Sequence, residues 1–140
     1  MGDHDVIRER LRLLAEYTSD LSELQGVEFA EYEDNKLIRR FVERTLHLAV
    51  EACLDIGQQI VALEGLRTPE DNKDIFVVLA ETGLIPDALL PNLIAMAKFR
   101  NVIVHDYVSV DDSVVVGILK RHLGDFDAFA QAVAEYIETD

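Results

Sequence analysis

The segment from Ala97 to Tyr107 sets Arg100, Asn101, His105 and Tyr107 within eight residues, at the end of a long apolar run. Arginine is always charged and grips phosphate oxygens in a bidentate way, whereas histidine exchanges a proton near neutral pH. Together they suit phosphoryl chemistry. In such chemistry His105 can take a proton from an attacking hydroxyl or give one to a leaving oxygen. Arg100 holds the phosphate as negative charge builds on it, and Asn101 fixes either group by hydrogen bonding. The plainer alternative is a helix-end cluster in which the cation caps terminal carbonyls.

Helical geometry limits how these groups can meet. At about 100° per residue, Arg100 and His105 lie roughly 140° apart on an unbroken helix and cannot share one pocket that way. Either the helix ends near Val104 and His105 swings back toward Arg100, or the pocket takes residues from two chains. Both arrangements place His105 at a helix terminus, with Asp106 and Tyr107 in the following loop. There the Tyr107 hydroxyl is open to another enzyme; its plainer role is to pack its ring at the helix end and hydrogen-bond a neighbour.

The elements that must position this segment read as about five helices. Ile7, Leu11, Leu14, Leu21 and Leu24 recur at helical spacing and predict a first helix from Asp5 to about Leu24. A short acidic connector over 27–33 follows, anchored by Phe29 and Tyr32. Asp34 or Asn35 caps a long second helix to about Glu64. Its stretch Leu46–Ile56 is apolar on most sides, which predicts burial by neighbouring helices or by a second subunit. A third helix starts at Asp71 or Asn72 and closes at Gly83, and Pro86-Asp87 opens the fourth, which delivers Arg100. Val108-Ser109-Val110 reads as extended. Asp111-Asp112-Ser113 caps a fifth helix carrying Val115 to Ile137, in which Gly117 and Gly124 suggest close helix contact.

A polar stripe crosses the apolar zone of the second helix: Arg44, His47, Glu51, Asp55 and Gln58, at steps of three or four. The simplest reading is a solvent-facing edge laced with i,i+4 contacts. A second places Glu51 or Asp55 beside Arg100 as an orienting partner. A third, a carboxylate metal site from His47, Glu51 and Asp55, is the weakest, because helical-bundle di-iron sites need two Glu-x-x-His pairs and the chain has none.

Arg100-Asn101, three residues, His105, one residue, Tyr107 resembles the R-x4-H-x-Y motif of the HEPN superfamily, in particular the HepT-like toxins. The similarity covers about residues 5 to 138, since Glu51–Ile56, Leu79–Gly83 and Phe99–Asn101 follow in that family's order and approximate spacing. The resemblance implies an all-α HEPN-like bundle spanning 1–140 as one domain, and a homodimer with two motifs facing each other in a cleft. It further implies a toxin that is an endoribonuclease, with Arg100, His105 and Asn101 as catalytic residues and RNA as substrate. A small nucleotidyltransferase antitoxin, attaching AMP to the tyrosine at position 107, is the implied partner.

Composition narrows the setting. The 140 residues suffice for one domain with its own core. No long uncharged apolar run suggests a membrane span, the acidic start is not that of a signal peptide, and the expected location is the cytosol. One cysteine, Cys53, leaves no internal disulfide or thiolate zinc cluster. No cofactor is called for. A net charge of −14 counts against a general nucleic-acid binder and fits a protein whose main partner is another protein. Any basic face must be local, and Lys98 and Arg100 are its candidates. Two competing classes remain, a non-catalytic HEPN module binding nucleotides or proteins through the same pocket, and a plain structural bundle. A dimer through the second and fourth helices is expected from the apolar coverage of Leu46–Ile56.

Overall fold

A computed structural model describes residues 2–139. Among them are seven α-helices and no strand: α1 (Asp5–Ser22), α2 (Phe29–Asp34), α3 (Lys36–Glu64), α4 (Asn72–Glu81), α5 (Leu90–His105), α6 (Asp112–Arg121) and α7 (Leu123–Thr139). The long α3 is the spine. Its start is fixed by Asn35, whose side chain accepts from the Ile38 amide at 3.1 Å, and its end by Gly65 in the left-handed conformation, φ 62°. Asp71 caps α4 in the same way at 2.9 Å.

α1, α4 and α5 pack along α3, and α7 closes the bundle against α1. The segment expected to be buried by neighbouring helices or by a second subunit is covered within one chain: Leu46, Ala49, Val50, Ala52, Cys53, Leu54 and Ile56 are all buried. By length and hydropathy α3 could cross a membrane, but it is the core helix of this bundle. Gly57 has a steric reason in the middle of it. A Cβ there would come within 2.4 Å of Ile75 Cγ2, so the missing side chain is what lets α4 approach α3.

The helix count exceeds the expected five for two reasons. The connector after α1 turns into α2, which buries Tyr32 while Phe29 stays partly exposed, so only one of the two expected anchors is seated. The C-terminal run breaks at His122, whose φ of −124° leaves the helical region before α7 starts. His122 Nδ1 lies 3.0 Å from Asp125 Oδ2, a contact that bridges the break. Gly117 and Gly124 do not mark close helix contacts: a Cβ at Gly124 would meet nothing within 4 Å, and at Gly117 only the Arg121 guanidinium.

Candidate active site

α5 delivers the motif. It runs unbroken through His105, with Asp106 as its C-terminal cap, and Tyr107–Ser109 form a 3₁₀ turn where an extended segment was expected. Only Val110, with φ −66° and ψ 122°, is extended. Because the helix continues past Val104, His105 keeps its helical phase and does not swing back toward Arg100. It stands exposed at the terminus. Arg100, Ile103 and Tyr107 instead turn toward α3.

Arg100 meets the polar stripe of α3 at Glu51. Its Nε donates to Glu51 Oε1 at 2.5 Å, and Nη2 lies 2.5 Å from the same oxygen. Nη1 donates to Asn101 Oδ1 at 3.2 Å, so the amide next to the arginine helps to set its plane. The chain of contacts goes on along α3. His47 Nε2 lies 3.2 Å from Glu51 Oε1, and Arg44 Nη1 lies 3.5 Å from His47 Nδ1. One neutral tautomer, protonated on Nε2, satisfies both imidazole contacts.

The stripe divides at this point. Asp55, one turn further on, faces α1 and pairs with Arg10 at 3.3 Å, so it is not a partner of Arg100. With Glu51 and Asp55 each holding an arginine, the three-residue metal set of His47, Glu51 and Asp55 does not assemble. No group of three or more His, Cys, Asp or Glu able to hold a metal occurs among the described residues.

Tyr107 is 56% exposed, and its hydroxyl lies close enough to the Glu43 carboxyl to draw that carboxyl's pKa down. Glu43 itself is only 8% exposed, and burial pushes its carboxyl above the usual carboxylate range while the Tyr107 contact draws it back. Beside this pair opens a cavity of about 200 Å³ lined by Arg40, Glu43, Arg44, His47, Ile103 and Tyr107. The arrangement therefore offers a fixed guanidinium, an accessible imidazole and a reachable phenol on one end of the bundle.

Comparison with known proteins gives this arrangement its context. The family described as Ribonuclease HepT-like matches residues 7–133. The chain belongs to that family. The mRNA nuclease HepT of Shewanella oneidensis is 28% identical over 130 residues, which is 93% of this chain and 97% of that protein. The tRNA nuclease HepT of Aphanizomenon flos-aquae is 22% identical over 134 residues, covering 96% and 91%. A solved structure of the tri-AMPylated Shewanella oneidensis HEPN toxin in complex with an MNT antitoxin superposes with a TM-score of 0.86 at 27% identity, covering 94% of this chain and 98% of that one.

In this HepT-like chain, sequence reasoning passed over Arg40 and Glu43. Arg40 had a signal, because it continues the stripe of Arg44, His47 and Glu51 by one more helical turn. Glu43 had only a weak one. A carboxylate among Val42, Thr45 and Leu46 reads as an edge residue until the partner from another helix, Tyr107, is known.

Proposed function

We propose that this HepT-like protein is a metal-independent endoribonuclease and the toxin half of a toxin–antitoxin pair. Arg100 and His105 carry the reaction, Asn101 supports Arg100, and Glu51 orients it. The observation that supports this most is the 2.5 Å contact of Arg100 with Glu51, which fixes a cation at the motif end with His105 exposed one and a half turns away. In the reaction the 2′-oxygen attacks the adjacent phosphorus, a new P–O bond forms, and the bond to the 5′-oxygen breaks. One imidazole takes the 2′-OH proton and an imidazolium supplies a proton to the leaving oxygen. Arg100 stabilises the charge on the phosphoryl oxygens.

Because α5 stays helical through His105, one chain does not turn Arg100 and His105 into one pocket. A second copy solves this by bringing its own motif to the same cleft. The motif end also carries apolar side chains left open, with Leu37 80% and Val108 95% exposed, and Phe41 and Val104 part-exposed. Burial of such residues is what a homodimer contact at this end would gain. The dimer contact thus moves from the middle of α3 to its N-terminal turns and the end of α5.

Tyr107 is the control point. A nucleotidyltransferase antitoxin that adds AMP to its hydroxyl would place a phosphodiester charge near Arg100 and compete with RNA phosphate for it. The protein acts in the cytosol. Expression of the protein without its antitoxin, with total RNA examined, tests the whole reading. The expected result is RNA degradation that persists in EDTA and leaves 2′,3′-cyclic phosphate ends. Growth and RNA that are the same with or without expression would leave the non-catalytic binding module in its place. Sedimentation at micromolar concentration checks the dimer, and a clean 15.8 kDa monomer would remove it.

A further inference from the structure

In a chain of net charge −14, most arginines along the bundle are held by carboxylates. Arg10 is held by Asp55, Arg12 by Glu9 and Glu16, Arg67 by Asp74 and Glu81, and Arg100 by Glu51. Arg39, Arg40, Arg44 and Arg121 are not among these, and of them Arg40 and Arg44 line one hollow. They lie one turn apart on α3, both exposed, and among the described residues neither makes an ion pair with a carboxylate. Two unneutralised guanidiniums on one wall of a hollow are a standing electrostatic cost in the free protein that an anion would remove.

We propose that the cavity lined by Arg40, Arg44, His47 and Tyr107 is a phosphodiester subsite, which seats the RNA backbone phosphate next to the one held at Arg100. The proposal rests on the ribonuclease reading and extends it by a binding step. The stripe gives the direction: Arg40, Arg44, His47 and Glu51 follow each other along one face of α3, and Glu51 touches Arg100. A strand entering along that face meets Arg40 and Arg44 before it reaches the catalytic cation. Glu43, which lines the same hollow, is only 8% exposed and forms no ion pair with Arg40 or Arg44 among the described residues. The size of the cavity, about 200 Å³, suits a phosphate with part of its sugar and not a whole nucleotide. That limits its role to backbone contact without base readout.

The test is binding of a labelled, non-cleavable 2′-O-methyl RNA to the full-length protein, measured over a range of salt. Wild type is compared with the double variant R40A/R44A, with R40K/R44K, and with R67A as a control for lost positive charge elsewhere. Removing two phosphate contacts should weaken binding about tenfold or more and flatten the plot of log affinity against log salt by roughly 1.4. R40K/R44K should keep most of the slope, and R67A all of it. With cleavable RNA the double variant should show a raised KM and a kcat close to wild type. Wild-type slope and affinity in R40A/R44A would overturn the subsite. The ligand cannot be cut, so the binding result does not depend on His105 chemistry. Cleavage by wild type together with an unchanged slope would sink the subsite and leave the nuclease standing.

Discussion

Arg67 and Arg100 are both arginines held by carboxylates, one just beyond the C-terminus of α3 and the other against its middle. Arg67, in the loop after α3, donates from Nη1 and Nη2 to Asp74 at 2.8 and 2.9 Å and from Nε and Nη2 to Glu81 at 2.9 and 3.0 Å. Two carboxylates surround it, and it has little left for a third anion. Arg100 faces a single carboxylate oxygen that it shares with His47, and its side chain is 19% exposed. The first arrangement ties the α3–α4 loop to α4. The second holds a guanidinium in place while leaving donors for phosphate. What separates Arg67 from the arginine proposed for catalysis is how much of its hydrogen-bonding capacity the protein itself uses.

The comparison breaks most visibly at Arg100 and His105. Arg100→Ala and His105→Ala should each reduce RNA cleavage by about 10²–10⁴-fold, as expected for loss of an oxyanion-stabilising cation or an acid–base group. Circular dichroism should stay that of the wild type, because neither side chain is part of the buried core. Full cleavage by either variant would remove that residue from the chemistry.

Glu51 and Asp55 sharpen it, since they sit one turn apart on the same stripe and hold different arginines. Glu51→Gln keeps the shape but weakens the hold on Arg100, and kcat should drop roughly tenfold, the scale of one charged hydrogen bond. Asp55→Asn should leave cleavage within twofold and affect only the α1–α3 contact with Arg10. Equal losses in both variants would mean that the whole stripe is scaffolding.

How far these roles could be read from sequence follows from what each depends on. Asn35, Asp71, Gly65 and Gly83 act through their own backbone turn, so the helix ends that they set were legible. Arg100, His105 and Tyr107 were legible as types at a spacing. The choice between Glu51 and Asp55 was not, because both lie on one face of α3 and only the packing of α1 and α5 assigns one to each neighbour. The break at His122 was also hidden, since the apolar stripe runs through it without interruption. Glu43 needed Tyr107 from the far side of the motif before its burial made sense.

Away from the site, Gly57→Ala should cost about 1–3 kcal/mol by overpacking, because its methyl would have to displace Ile75. Denaturant unfolding reads the loss. Cleavage by the remaining folded protein should not change, since the Gly57 contact is with Ile75 and Leu79 and involves none of the motif side chains. A variant as stable as wild type would show that the α3–α4 contact relaxes at little cost.

The smallest effect is a difference in pH signature between the two regions. The Arg67 guanidinium holds the Asp74 carboxyl down at about 2 and lowers Glu81 as well. A carboxylate whose folded pKa lies below its unfolded value of about 3.9 contributes stability above that value and loses it as the pH falls toward 2. Arg67→Ala should therefore lower Tm by roughly 2–5 °C near neutrality, in keeping with an exposed pair, and the gap to wild type should narrow as the pH falls from about 4 toward 2. Glu43 has the opposite sign. Burial raises its carboxyl, so its ionisation opposes folding, and the stability tied to its neutral form is lost as the pH rises beyond the usual carboxylate range. Glu43→Gln should then gain on wild type as the pH is raised from 4 toward 7, where Arg67→Ala falls behind. Thermal melts of the three proteins from about pH 2 to pH 7 decide it. Parallel curves for wild type and Glu43→Gln would mean that the carboxyl beside Tyr107 is no more strained than one in water.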